Sequence, residues 1–505
     1  MKISRISFAL LMIILILTIS LNAKSQKAMR PVIESNFKAI NILDTSIYRM
    51  TGGKLVAAFK SLSVYLNGKK FMEGQSRTFS GPLDSLPVSQ FFFLDFEKDW
   101  ILNETIDRYL GGYVFSFRTV FADSLAFNYE VPKVRFSQLN HLSSNAKSAY
   151  KLQLLRNLPL YLLKAARENP TSLRFVGEVR LKKKPCYHVT GSIPGAGVMD
   201  IFIDKKSMML LCTGQMSQNL IRGDQTTYTY YLNYQKISET FFPKKRIICT
   251  DFIKLREDTI TVAINPPEPK EDAFAIPVGY RNPAVTKKEF KVLGKGIFML
   301  ENIDGYNVLC LEYSDHIMIL EAVQGSPEVI ALTKKKFPGK DIRYVAISHH
   351  HEDHASGLRE FIAKDIKVVA GDKTADFVRY ISNGNRLLFP DHQQIAKNIP
   401  DIISVAKQRK FNGDGPEMLM LDFGPNSHAD QIFAYYFPQE HILFQADLLI
   451  SSDEGKVVLP IIPINLEFYN KLKALNLRLD KIYGVHLKEV SFSDFEKAIL
   501  ASLGQ

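Results

Sequence analysis

The chain has 505 residues, of which 46% are hydrophobic, and this composition excludes a disordered protein. Its length exceeds what one hydrophobic core usually serves, so we expect two or three domains. The formal net charge is +12, but the basic runs at residues 182–184, 244–246 and 334–336 are dispersed and not interleaved with aromatic residues. They indicate solvated surface, and no nucleic-acid partner is expected.

Residues 1–25 have the pattern of a signal peptide. Lys2 and Arg5 precede an apolar run over residues 6–21, and residues 23–25 form a candidate cleavage site. An uncleaved anchor is the alternative, although the run is short for a membrane-spanning helix. We therefore predict a periplasmic or secreted protein that contacts a membrane only through an uncleaved N-terminal segment.

Residues 26–264 are predicted to form an N-terminal α+β domain of unknown role. A helical pattern over residues 150–166 contains Pro159, where we expect a break or kink. After Pro170, short runs of β-forming residues alternate with turn residues, which indicates an antiparallel meander. These runs resemble the curved half-barrel sheets of lipoprotein-carrier-like domains. Such a sheet could bind a lipid or support a neighbouring domain, and we favour support.

The four cysteines have no spacing that is typical of a metal motif. Disulfides in an oxidising compartment and buried free thiols both fit the sequence. The cysteines are Cys186, Cys212, Cys249 and Cys310.

Residues 265–289 are predicted to be a linker, because three prolines stand among charged residues at its start. Strands and helices then alternate over residues 290–505. Strands are predicted at residues 296–300, 308–312 and 317–321, followed by a helix at 327–336 and a buried strand at 343–347. Late helices are predicted at 466–477 and 493–500. This alternation suits an α/β domain with two sheets.

Residues 348–354 concentrate four histidines and two carboxylates between the predicted strand 343–347 and a predicted helix at 355–362. Side chains two positions apart on an extended chain point the same way, so His349 and His351 can reach one cation while His350 faces elsewhere. Asp353 and His354, where the chain turns into the helix, can address a second position. A fortuitous tract is the alternative, but the acids and the internal location favour a metal site.

The arrangement HxHxDH in this cluster resembles the signature of the metallo-β-lactamase superfamily. Three further motifs follow in the family's order, at residues 424–428, 442–447 and 481–486. The resemblance covers residues 290–505. It implies an αββα sandwich, so the expected fold class is an α/β sandwich preceded by an α+β domain with a largely antiparallel sheet.

The resemblance also implies two divalent metal ions, with zinc favoured and manganese or iron accepting the same ligands. Asp353 would be both a ligand and the catalytic acceptor of the nucleophile's proton. One ion would be held by His349, His351 and His428, the other by Asp353, His354 and His486, with Asp447 bridging.

Three positions depart from the family pattern. Glu321 closes the predicted strand 317–321 where many relatives carry Asp, residues 429–431 replace a Thr-Pro-Gly-like turn, and Leu487 stands where a glycine is common. These changes concern the orientation of the ligands and the shape of loops rather than ligation itself.

The implied reaction is hydrolysis by a hydroxide shared between two metals. Asp447 and His486 lie 39 positions apart, which leaves no room for the domain that RNA-processing nucleases of the family insert there. Asp447 also replaces the Cys of some lactamase subclasses, and His351 replaces the Glu of the diiron flavoproteins.

We therefore expect an exported hydrolase that acts on a small-molecule lactone, ester or thioester. The alternatives are a phosphodiesterase, and a periplasmic binding or assembly protein with a structural or vestigial metal site. No feature of the sequence indicates an oligomeric state.

Overall fold

The computed structural model describes residues 31–53, 59–122, 125–131, 135–138, 157–194, 196–251, 253–279, 287–452 and 454–504. The predicted signal peptide at residues 1–25 lies outside them. No helix among the described residues is long and apolar enough to cross a membrane.

The N-terminal half is built on one 13-stranded sheet. Strands β1–β6 form one antiparallel meander and β7–β13 form a second, and β1 pairs with β13 from Leu62 opposite Ile264 to Lys70 opposite Arg256. The last strand therefore joins the two meanders. The strands are β1 Ser61–Phe71, β2 Ser85–Asp95, β3 Trp100–Arg108, β4 Val114–Ala122, β5 Leu125–Val131, β6 Arg135–Gln138, β7 Arg174–Leu181, β8 Lys184–Ile193, β9 Gly197–Asp204, β10 Leu210–Asn219, β11 Gly223–Ile237, β12 Thr240–Thr250 and β13 Ile253–Ile264.

Two helices pack on the β7–β13 part of this sheet. Helix α1 covers residues 31–50, and helix α2 is Pro159–Arg167. Leu43 and Leu163 from these helices share a buried cluster with Val189 and Ile201 from the sheet. The break expected at Pro159 is confirmed: Leu158 is extended and α2 begins at Pro159, because proline lacks an N–H and suits the first helical position. Residues 150–156 of the predicted helical pattern lie outside the described residues.

The C-terminal half contains a seven-stranded and a six-stranded sheet. The strands of the first are β14 Phe290–Gly294, β15 Ile297–Ile303, β16 Tyr306–Glu312, β17 His316–Leu320, β18 Asp341–Ala346, β19 Lys367–Gly371 and β20 Ile402–Val405. Those of the second are β21 Gln408–Phe411, β22 Met418–Asp422, β23 Phe433–Phe437, β24 Ile442–Gln445, β25 Lys481–Gly484 and β26 Leu487–Ser491. The helices are α3 Ser326–Lys336, α4 Glu352–Ala355, α5 Leu358–Ile362, α6 Ala375–Asn383, α7 His392–Ala396, α8 Pro463–Leu475 and α9 Phe492–Ser502.

The two sheets share one hydrophobic core. Buried side chains from the first sheet, among them Leu309 and Val345, belong to the same cluster as Tyr435 and Phe444 from the second. Strands β17 to β20 pair in parallel. Strands β17 and β19 are nearly continuous apolar runs, which is typical of strands buried on both faces.

The predicted helix at residues 355–362 is two short helices, α4 and α5. Gly357 stands between them and brings the backbone so close to Val323 that a Cβ atom would clash with the Val323 carbonyl oxygen. This contact holds the first turn after the histidine cluster against the end of the β17 region.

The four cysteines are free thiols. Cys186, Cys212 and Cys310 are buried, and Cys249 is half-buried. Of the two interpretations that the sequence left open, free thiols are the one that the structure shows.

Candidate metal centre

The structure gathers the seven residues singled out in the sequence at the ends of strands β18, β24 and β25 and in the loop between β22 and β23. Within each of two groups, one ligand atom per residue lies within 4.8 Å of the others. The first group is His349, His351, His428 and Asp447, and the second is Asp353, His354, His486 and Asp447.

In the first group, three imidazole rings surround one point. The rings of His349 and His351 have centroids 4.4 Å apart, and those of His351 and His428 lie 4.5 Å apart. The Nε2 atoms of His428 and His349 are separated by 3.2 Å. All three residues are buried, so the nitrogens face one another with little access to solvent.

The second group lies beside the first and is more open. His486 Nε2 is 3.2 Å from Asp353 Oδ2 and 3.3 Å from His354 Nε2. His354 Nε2 is 3.4 Å from Asp353 Oδ2. The Asp353 and His486 side chains are about one fifth exposed, whereas His354 is fully buried.

Asp447 stands between the two groups. Its Oδ2 atom lies 3.4 Å from His349 Nε2, 3.2 Å from His428 Nε2 and 2.9 Å from His354 Nε2. Its Oδ1 atom lies 3.2 Å from His486 Nε2. The residue follows β24 with a φ of 55°, a left-handed conformation that is uncommon outside glycine. One carboxylate thus addresses both groups.

Glu321 orients the ligands from behind. This fully buried carboxylate accepts hydrogen bonds from the Ser348 backbone N–H at 3.0 Å, the Ser348 hydroxyl at 3.1 Å, His354 Nδ1 at 3.1 Å and the Tyr435 hydroxyl at 3.2 Å. The Ser348 hydroxyl also lies 2.9 Å from His349 Nδ1. Because Nδ1 of His354 donates to Glu321, Nε2 is the nitrogen that faces the cluster. Glu321, which is longer than the Asp expected at this position, therefore still reaches these hydrogen-bond partners.

The N-terminal half orients the remaining imidazoles through backbone carbonyls. The Ser76 carbonyl oxygen accepts from His351 Nε2 at 3.0 Å and from His350 Nε2 at 2.8 Å, so His350 points away from the cluster as expected. The Leu110 carbonyl oxygen lies 3.4 Å from His428 Nδ1. His351 Nδ1, which then faces the cluster, is a buried nitrogen with no hydrogen-bond partner.

Two side chains of the N-terminal half bind the acids. Gln75 donates from Nε2 to Asp353 Oδ1 at 2.8 Å, and the Tyr113 hydroxyl donates to the backbone carbonyl oxygen of Asp447 at 2.9 Å. Neither residue was predicted from the sequence, and no strands were predicted before residue 173. The alternation of Phe115 and Phe117 with polar neighbours on β4 is a signal that could have found this part of the sheet.

The electrostatics of the cluster favour neutral imidazoles in one group and positive charge in the other. Burial lowers the pKa of His349 to about 3, so its ring is neutral and can act as a ligand. Burial also opposes a charge on His354, but the carboxylates of Asp353 and Asp447 outweigh it and hold the pKa of His354 well above its usual range. The space between these carboxylates therefore attracts a cation.

The donor set fits divalent metal ions. Each of the five imidazoles presents one nitrogen to the cluster, and two carboxylates add oxygens, a combination that suits zinc and related metals. The unpartnered Nδ1 of His351 fits the same role, since a buried ring nitrogen without a hydrogen bond is costly unless a ligand satisfies it.

The comparisons with known proteins concern the same part of the chain. Residues 314–486 match the model of the metallo-beta-lactamase superfamily. Similar solved structures include a metallo-beta-lactamase from Pontibacter korlensis, with 14% identity, a TM-score of 0.31, and coverage of 54% of this chain and 99% of that one. A metallo-beta-lactamase from Hirschia baltica has 16% identity, a TM-score of 0.31, and coverage of 42% and 97%.

The stereoselective inverting sec-alkylsulfatase Pisa1 from Pseudomonas sp. has 16% identity, a TM-score of 0.29, and coverage of 41% of this chain and 39% of that one. No curated protein matches the chain. The residues matched by the family model include all seven members of the cluster, from His349 to His486. Residues 314–486, which hold the whole cluster, are therefore a metallo-hydrolase domain of the metallo-beta-lactamase superfamily.

Proposed function

We propose that the protein is an exported hydrolase that holds two divalent metal ions and cleaves a carbonyl substrate such as a lactone, an ester or a thioester. The proposed ligands of one ion are His349, His351 and His428, and those of the other are Asp353, His354 and His486, with Asp447 shared.

The position of Asp447 carries this proposal. Its two oxygens face imidazoles of both groups at 2.9–3.4 Å, and a structural metal site rarely needs such a shared carboxylate. Zinc is the favoured metal, and manganese or iron would accept the same ligands. Ions bound there would activate a water molecule and polarise the bond to be cleaved.

Asp353 is the proposed catalytic residue. It lines the cavity that opens beside the cluster, so its carboxylate can reach a proton on the attacking water. Gln75 occupies one of its oxygens and thereby limits the rotation of the carboxylate. This contact supports a defined orientation toward the cavity.

The proposal extends to the organisation of the chain. We infer an αββα order of layers for residues 290–505, since one core is shared by both sheets. Residues 26–264 would form the N-terminal domain and residues 265–289 the linker. Export rests on the signal pattern at residues 1–25, and N-terminal sequencing of the mature protein tests it, because an intact Met1 would contradict export.

Metal analysis of the purified protein, followed by a hydrolysis screen, tests the function. We expect about two metal ions per chain and turnover of at least one lactone, ester or thioester in the presence of zinc or manganese. Turnover of phosphodiesters alone would favour the phosphodiesterase alternative. Full metal loading without turnover of any substrate class would favour the binding or assembly protein.

A matched pair of histidine variants separates ligands from other histidines. His428→Ala should lower the metal content and abolish turnover, because it removes a nitrogen from the first group. His392→Ala should leave both unchanged, because this exposed side chain pairs with Glu360 away from the cluster. Equal metal content in the two variants would contradict the ligand assignment.

A further inference from the structure

A cavity of about 420 Å³ opens beside the metal cluster, and the N-terminal half supplies one of its walls. This aromatic wall consists of Tyr109, Tyr113, Phe115 and Phe117. The rings of Tyr113 and Phe115 lie 6.2 Å apart at an angle of 22°, and those of Phe115 and Phe117 lie 6.2 Å apart at 16°. Tyr109 packs edge-on against Phe115 at 5.6 Å. The cavity therefore has a continuous ring-lined side.

The aromatic wall starts at the cluster and follows strand β4. Tyr113 donates to the Asp447 carbonyl oxygen and packs its ring against His428 at 6.4 Å. Phe115 and Phe117 follow on the same face, because alternate residues of a strand point the same way. Four residue steps at the usual strand rise give a strip of roughly 13 Å, the length of an extended chain of about ten carbon atoms.

The rest of the cavity lining contains no basic side chain among the described residues outside the metal cluster. Carboxylates of Glu130 and Glu352 line it together with those of Asp353 and Asp447, and none of the lining residues in the described part of the chain is Lys or Arg. Lys70 Nζ lies 3.7 Å from the centre of the Tyr109 ring, but it is already paired with Asp107 at 2.7 Å. An anionic tail on a substrate would thus meet acids and rings, and the nearby ammonium would have to leave its own partner to bind it. An uncharged apolar tail would instead bury surface against the rings.

We propose that the aromatic wall binds the uncharged alkyl part of the substrate. This inference rests on the proposed function and narrows it to neutral esters and lactones that carry an apolar chain of up to about ten carbons, the length estimated from the strand rise. Phe115 and Phe117 are then specificity-determining residues supplied by the N-terminal half. That half takes part in substrate binding as well as support.

A homologous series of methyl esters, from acetate to dodecanoate, tests chain binding with the metal-loaded full-length protein. Burial of each added methylene should raise kcat/KM by about fourfold until the chain covers the wall, after which kcat/KM should level off. Methyl decanoate should be cleaved much faster than monomethyl decanedioate, which has the same length but a charged end. Equal kcat/KM values across the series of esters, or for the two decanoate-length esters, would overturn the inference about the aromatic wall. The proposed hydrolase function would still stand.

Variants on the two faces of β4 test whether the alkyl chain binds at the aromatic wall. Phe117→Ala should lower kcat/KM for the decanoate ester by about tenfold, as expected for losing most of one ring's apolar contact, and leave the acetate ester within about twofold. Phe117→Leu should recover most of the loss, since it restores apolar surface. Val114→Ala, on the opposite and exposed face of the same strand, should leave the dependence on chain length unchanged. Melting curves identify variants that fail to fold.

Binding of uncharged ketones separates this inference from the proposed function, because ketones are not hydrolysed. Calorimetric titration should show tighter binding of 2-undecanone than of 2-pentanone to the metal-loaded protein, and Phe117→Ala should reduce the difference. If this result were obtained but no ester were hydrolysed, binding of alkyl chains by the aromatic wall would be supported and the proposed hydrolase function would be contradicted. Ketone binding that is independent of chain length, or unaffected by Phe117→Ala, would refute the wall.

Discussion

Replacing Glu321 with glutamine should separate the orientation of the metal ligands from the stability of the fold. One carboxylate oxygen of Glu321 accepts from the Ser348 backbone N–H and the Tyr435 hydroxyl, and the other accepts from the Ser348 hydroxyl and His354 Nδ1. A glutamine amide keeps one oxygen and turns the other position into a donor. Since a backbone N–H cannot change its role, the amide oxygen should face Ser348 N and the NH₂ group should face His354.

The consequence falls on the His354 ring. Facing an NH₂ group, its Nδ1 must become the acceptor, and the proton then moves to Nε2, the nitrogen that points into the cluster. A protonated Nε2 cannot bind a metal, so Glu321→Gln should weaken binding at the second group by about 10- to 100-fold. The fold should lose only about 1–2 kcal/mol, because most of the hydrogen bonds are replaced.

Truncation at the same position should have a different outcome. Glu321→Ala leaves the buried donors of Ser348, His354 and Tyr435 without their acceptor, and each unsatisfied donor costs about 1–3 kcal/mol. The total of about 4 kcal/mol or more is a large part of the free energy of unfolding of a typical domain. We expect Glu321→Ala to unfold at a much lower temperature than wild type, whereas Glu321→Gln stays folded.

Competition with a chromophoric chelator measures the metal affinity, and thermal melting measures the stability. Glu312→Gln is a suitable control, because this residue on the adjacent strand β16 pairs with Lys340 away from the cluster. Wild-type affinity for both ions in Glu321→Gln would refute the argument that Glu321 sets the protonation of His354.

Three further outcomes follow from other contacts. Asp447→Ala should reduce the metal content from two ions toward one and lower kcat by orders of magnitude with little change in the melting temperature, and unchanged turnover at full metal loading would contradict a shared carboxylate. Gln75→Ala should lower kcat more than it raises KM and shift the pH profile of kcat/KM, because the orientation of Asp353 is lost; an unchanged profile would limit Gln75 to a structural role. Asp258→Ala should lower the free energy of unfolding of the N-terminal half by about 3–5 kcal/mol in denaturant titrations, because it leaves the buried Arg246 guanidinium without its ion pair. A decrease below about 1 kcal/mol would contradict this expectation.

The candidate site was predictable because its chemistry is concentrated in a few short segments. The spacing of His349, His351, Asp353 and His354 after an apolar strand already predicts metal ligands on a loop. The left-handed turn at Asp447 and the reach of Glu321 were not predictable, because they depend on backbone conformation and on partners far away in the sequence. The family model covers all seven ligands, and their role in binding metal stays a prediction.

The contribution of the N-terminal half could not be read from local patterns. Its contacts with the imidazoles of the cluster are backbone carbonyls, at Ser76 and Leu110, and backbone groups carry no residue-specific signal. Strands β7–β12 were indicated by their short turns, whereas β13 and the strands before residue 173 were not predicted. The interpretation of that half as support stays a prediction.

The pairing of β1 with β13 constrains how this protein can fold. Leu62 and Ile264 are neighbours in the sheet although roughly 200 positions of chain separate them. The strands within each meander can pair locally, but β1 cannot pair with β13 until β13 has been made. Closing so long a loop costs conformational entropy and is therefore slow. Until then, β1 and β12 present open hydrogen-bonding edges to any other chain. The incomplete sheet therefore needs protection from pairing with other chains in the cell until residue 264 has been synthesised.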